Sequence, residues 1–165
     1  KNINTKKINF LTRVDWIRGF SMIINLKKFS KNNIFDKNYF LYLEEVDLCK
    51  SILRKSGNIF FVKNLKVNHL GFKGSIGASN SKNHQAENLR NWHYMWSSFY
   101  YYKKNYSYFF ALRKMTGKLL RSVFKTIYYT LTFQRQKKNK YLFRFLGIIT
   151  SLVGMKSFYR IRNYN

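Results

Sequence analysis

Phe35-Asp-Lys-Asn-Tyr-Phe-Leu-Tyr-Leu-Glu-Glu-Val-Asp-Leu-Cys49 is the stretch on which the reading of this 165-residue chain turns. The chain holds 32 Lys and Arg against 6 Asp and Glu, a net charge of +26. Four of those acids, Asp36, Glu44, Glu45 and Asp47, fall inside this segment, the last three within residues 44–47, and the others are Asp15 and Glu87. Like charges packed so closely raise one another's pKa and cost stability, so the cluster needs a reason. One reason is structural: acids in the first turn of a helix meet its dipole and cap free N–H groups. The other is chemical: one carboxylate acts as a general base while its neighbours hold a substrate hydroxyl or a metal. From Glu44 onward Val46, Cys49, Ile52 and Leu53 are spaced for one face of a helix, with Gly57 as its C-terminal stop.

Outward from that helix the pattern is mixed. Upstream, Phe20-Ser-Met-Ile-Ile-Asn-Leu26, entered through Trp16-Ile-Arg-Gly19, has the length of a buried strand. Asp36 reads as a turn residue. Downstream, Asn58–Val62 and Leu65–Leu70 read as two short strands, and the Gly-, Ser- and Asn-rich stretch 71–83 reads as a loop and domain boundary. Beyond it the periodicity is helical. Trp92, Trp96, Phe99 and Tyr100 make one aromatic stripe. Leu112, Met115, Leu119, Val123 and Ile127 make an apolar one, with Lys114, Lys118, Arg121 and Lys125 opposite. The expected class is α/β, with a core in residues 1–83 and a basic, aromatic-rich helical tail in 84–165.

Composition excludes several classes. With 45% hydrophobic and 19% aromatic residues the chain can bury enough surface to fold. Single Cys49 rules out a disulfide framework, and no Cys/His grouping has zinc-finger spacing. There is no signal-peptide pattern at the N-terminus, and the longest apolar run, Phe145–Met155, is short of the ~20 residues a membrane span needs. The abundance of Lys, Asn, Ile, Phe and Tyr is also what an AT-rich genome imposes, so charge informs only where it is patterned. His84 and His93 receive no role.

Val14-Asp-Trp-Ile-Arg-Gly-Phe-Ser-Met22, the segment 35–49, Gly57 and His69-Leu-Gly71 together resemble the second half of the catalytic domain of family 2 glycosyltransferases. The resemblance is closest to the rhamnosyltransferase-like members that build bacterial surface polysaccharides. It implies a GT-A (Rossmann-like) fold and inverting transfer from a nucleotide-sugar donor to a lipid-linked glycan acceptor. It places the general base at Glu45 or Glu44 with Asp47 orienting it, the acceptor pocket at Trp16, Arg18 and Gly19, and His69 beside a Mg2+ or Mn2+ ion. Glu45 stands where the family has Asp. No Asp-x-Asp pair occurs in the chain, so the nucleotide-binding half and most metal ligands are expected outside it.

From Arg90 to the end there are cations and aromatics but no acid. That composition suits an anionic membrane surface, and implies a cytoplasmic enzyme peripheral to the inner face of the cell membrane. It also suits a helical subdomain packed on the core. Two further readings compete for the whole chain. One is a basic nucleic-acid-binding protein, disfavoured because it leaves the acid cluster unexplained. The other is an inactive scaffold.

Overall fold

Acids in the first turn, an apolar face and a C-terminal stop set up the helix that begins at Glu44, and the computed structural model of the protein contains it as α1, Glu44–Arg54. The structure describes residues 10–29, 34–69 and 80–161. In chain order the elements are β1 (Leu11–Arg13), a 3-10 turn (Leu26–Lys28), α1, β2 (Phe60–Val62), α2 (Asn80–Asn105), α3 (Tyr108–Leu131) and α4 (Arg135–Leu152). They fall into two compact units. One comprises residues 1–36 and 44–71, the other residues 37–43 and 72–165.

In the first unit β1 and β2 pair antiparallel, with Leu11 opposite Val62 and Arg13 opposite Phe60. The ladder is prolonged by Val14 N–H to the Ile59 carbonyl at 3.0 Å and Lys63 N–H to the Phe10 carbonyl at 2.9 Å. Residues 20–26, expected as a buried strand, are not one. Ile23 is 92% exposed, and Asn25 caps the 3-10 turn by accepting from Lys27 N–H. A buried strand needs a bonded neighbour, and β1 with β2 is the one ladder among the described residues. For the same reason residues 65–69 lie outside any strand, and Leu70 lies outside the described residues.

The end of α1 is built differently from its expected glycine stop. Ser56, at φ 57°, takes the left-handed position, its N–H donating to the Leu53 carbonyl, while Gly57 N–H reaches the Ile52 carbonyl at 2.9 Å. This is a Schellman motif whose glycine sits one place later than usual. Its reason is space: a Cβ on Gly57 would stand 2.6 Å from Ile52 Cγ2.

The second unit is a three-helix assembly around Met95, Phe99, Ala111, Met115 and Ile148. Ser107 starts α3 by accepting from Phe110 N–H at 3.1 Å. Gly154, at φ 81°, ends α4. At Gly147 the helices touch backbone to backbone, since a Cβ there would lie 2.3 Å from the Trp92 carbonyl oxygen. The apolar stripe of α3 is oriented differently from its sequence reading: Met115 is buried beside Ala111 and Ser122, but Ile127 is exposed. Steps of 3.6 residues from Met115 carry the buried line to Ser122 and leave Ile127 on the other side.

Residues 37–43 are laced onto these helices. Ser97 Oγ donates to the Leu41 carbonyl and Ser157 Oγ to the Asn38 carbonyl, each at 2.7 Å. Tyr39 meets Tyr100 edge-on at 5.0 Å, and the Arg160 guanidinium lies 3.5 Å from the centre of the Phe40 ring. Tyr42 and Leu43 then both take positive φ, 68° and 67°, before the chain enters α1. For non-glycine residues that costs about 1–2 kcal/mol each.

His93 is fully buried in this unit, its Nε2–H donating to the Tyr159 carbonyl at 2.8 Å. Burial, with the nearby Arg160 charge adding to it, lowers its pKa to about 4 despite that hydrogen bond. The unfolded chain takes up this proton near the ordinary value of ~6.5, whereas the folded chain resists until about 4. Stability therefore holds above ~6.5 and is lost as the pH falls from there towards 4. Melting followed by circular dichroism should show that loss, and His93→Gln, which keeps a donor for Tyr159 but does not titrate, should flatten it.

Candidate functional site

Three segments far apart in sequence supply one cleft in the first unit. The turn after β1 brings Trp16, Arg18, Gly19 and Phe20, the first turn of α1 brings Glu44 and Glu45, and the stretch after β2 brings His69. The cleft has a volume of about 350 Å³, near the lower end of ~300–1,000 Å³ typical of ligand pockets. Six sequence-predicted site residues, Trp16, Arg18, Gly19, Glu44, Glu45 and His69, thus line a single space. Asp47 does not line it. Two residues past Glu45 it is turned about 200° around the helix, and it is buried with Leu48 and Cys49.

The two carboxylates are held unusually. Oε2 of Glu44 and Oε2 of Glu45 are each buried without a hydrogen-bond partner among the described residues. A carboxylate serving only as a helix cap has its oxygens on N–H groups, so these atoms bear a cost that capping does not explain. Burial pushes the Glu44 carboxyl above the usual range; a hydrogen bond from its own backbone N–H opposes this, and the adjacent Glu45 charge adds to the rise.

Gly19 lies beside Glu45. A Cβ there would stand in ordinary van der Waals contact with the glutamate stem, 3.4 Å from Glu45 Cβ and 3.7 Å from Cγ, so the turn runs beside Glu45 with space for about one more carbon between them. The turn is held to α1 by Cys49. This buried thiol accepts from Ile17 N–H, and burial pushes its pKa up, making it an inert anchor rather than a nucleophile. Phe20 lies against the His69 ring, centroids 4.7 Å apart. Neither Cys49 nor Phe20 was singled out by sequence reasoning. Phe20 could have been found from its place directly after Gly19; Cys49 was placed on the apolar face of the helix, but its bond to Ile17 has no signal in the sequence.

Trp16, Arg18 and Phe20 also border a second, apolar cavity of about 540 Å³, with Ile23, Phe60 and Phe61 on its wall. As for a metal, no group of three His, Cys, Asp or Glu side chains converges as a cation site among the described residues. His69 stands at the cleft with its ring tilted 58° against that of Phe20.

The chain is 45% identical over 38 residues to the rhamnosyltransferase WbbL of Escherichia coli (strain K12), a glycosyltransferase by its name. The matched segment is 23% of this chain and spans 14% of that protein's length. No family model matches the chain, and no solved structure matches it.

Proposed function

We propose that the chain is the acceptor side of an inverting, family 2 type glycosyltransferase, which moves a sugar from a nucleoside diphosphate sugar to a hydroxyl of a lipid-linked glycan. The observation that carries this reading is the pair of buried, unbonded carboxylate oxygens of Glu44 and Glu45 in a cleft with Trp16, Arg18 and His69. The partial similarity to a rhamnosyltransferase supports the same class.

In this mechanism Glu45 takes the proton of the acceptor hydroxyl. The freed oxygen bonds to the anomeric carbon as the bond to the diphosphate breaks on the opposite face. Glu44 stands beside Glu45 in the cleft, its carboxyl pushed above the usual range by burial. Trp16, half exposed at the mouth, offers a flat apolar face to a sugar ring. Arg18 supplies the cleft's positive charge for the leaving phosphates or acceptor hydroxyls. The donor site, and the ligands of any Mg2+ or Mn2+, belong to residues other than these.

The test is transfer of labelled sugar by the intact protein that carries this chain. Nucleoside diphosphate release should depend on acceptor, and Trp16→Ala should raise the acceptor KM about tenfold with kcat nearly unchanged. Absence of release from every nucleoside diphosphate sugar, with acceptor present, would remove the assignment.

A further inference from the structure

We infer that the outer face of α3 is a docking surface for an anionic membrane, with the helix lying in the plane of the headgroups. The inference stands independently of sugar transfer. α3 buries Ala111, Met115 and Ser122 within its unit. At 100° per residue, Phe109, Leu120, Phe124, Ile127 and Leu131 fall within about 60° of one another on the opposite side. All five are exposed: Phe109 by 80%, Phe124 by 68% and Leu131 by 72%. A soluble helix has one apolar side; this one has two, and the second faces outward along its whole length.

The charges beside the stripe point to the occupant. Arg113 lies in its line, and Lys114, Arg121 and Lys125 follow one border, with Lys114 5.6 Å from the Phe110 ring centre and Lys125 5.5 Å from that of Tyr128. Ammonium groups held close to aromatic rings along an exposed apolar stripe are the arrangement of interfacial helices, where both meet the headgroup layer. A second copy of the chain would bring the same cations to the contact, because no acid follows Glu87. Lipid phosphates would neutralise them. Crossing is not available to this helix, since among the described residues no helix is long and apolar enough to span a membrane. Lying flat is.

Sedimentation of the full chain with vesicles of equal phosphatidylglycerol and phosphatidylcholine at physiological salt tests this, with pure phosphatidylcholine vesicles and a single-stranded RNA as the other probes. The chain should bind the anionic vesicles and neither of the others. Phe124→Ser with Ile127→Ser should weaken binding at least tenfold at unchanged net charge, and Arg113→Gln or Arg121→Gln about fivefold each. Both serines replace exposed side chains, and Phe109→Ser in the first turn gives a second variant should the first lower the melting temperature. Vesicle binding unaffected by the serines would overturn the proposal, as would preference for RNA. So would a dimer in solution that the serines dissociate while vesicle binding stays as it was.

Discussion

Glu45→Gln in the intact transferase should lower kcat by between about a hundredfold and ten thousandfold, the range associated with a positioned general base. The substitution keeps size and polarity but cannot take a proton. Because Gln fills the same space beside Gly19, the acceptor KM should change little. The loss should therefore sit in kcat, which separates a base from a residue that merely binds. Glu44→Gln provides the contrast. Glu44 lines the same cleft without taking the acceptor proton, so its loss should lower kcat by less than the Glu45 substitution does. If Glu44→Gln instead abolishes turnover and Glu45→Gln spares it, the two residues exchange roles. If both spare it, the cleft is not where the proton is taken.

Gly147→Ala should destabilise the helical unit by about 2–4 kcal/mol, while Gly117→Ala stabilises it by up to about 1 kcal/mol. Chemically the two changes are identical. At Gly147 the new methyl carbon would meet the Trp92 carbonyl oxygen at 2.3 Å, and backbone cannot turn aside as a flexible side chain can. Relieving that clash means parting α2 from α4 and loosening Trp92, Met95 and Ile148 along the same seam. At Gly117, by contrast, no atom lies within 4 Å of the added carbon, so only the helix propensity gain of alanine remains. Thermal melting of the two variants measures the difference directly. Equal melting temperatures would mean that the close crossing is not maintained in solution.

The sequence reading succeeded where side-chain chemistry repeats at a helical period or stands in an unusual cluster. α1, α2 and α3 were legible from apolar spacing, and the convergence of Trp16, Gly19, Glu44, Glu45 and His69 was legible because the resemblance ties all three segments together. It missed where the outcome depends on partners at a distance. Phe20–Leu26 has the composition of a buried strand, but a strand exists only with a bonded neighbour. Periodicity located the apolar residues of α3 without saying which of its two apolar sides other helices would cover. The left-handed pair Tyr42 and Leu43 was invisible for another reason: bulky residues adopt that conformation only when their surroundings impose it. Likewise Ser56, not Gly57, takes the left-handed place in the α1 cap, because the glycine is needed for clearance from Ile52.

The lacing of residues 37–43 onto the helices sets a timetable for biosynthesis. Ser157 follows Asn38, whose carbonyl it binds, by 119 residues. At a translation rate of ~5–20 residues per second, on the order of ten seconds pass between the two leaving the ribosome. Ser97 and Tyr100, which meet the Leu41 carbonyl and the Tyr39 ring, are made about halfway through that interval, but the Asn38 carbonyl waits for Ser157, and Phe40 for Arg160, until its end. The helical unit is thus completed last, by an early segment that must stay unaggregated until the chain is nearly finished. A fragment starting at residue 72 would hold all three helices and still lack a strip of its own surface.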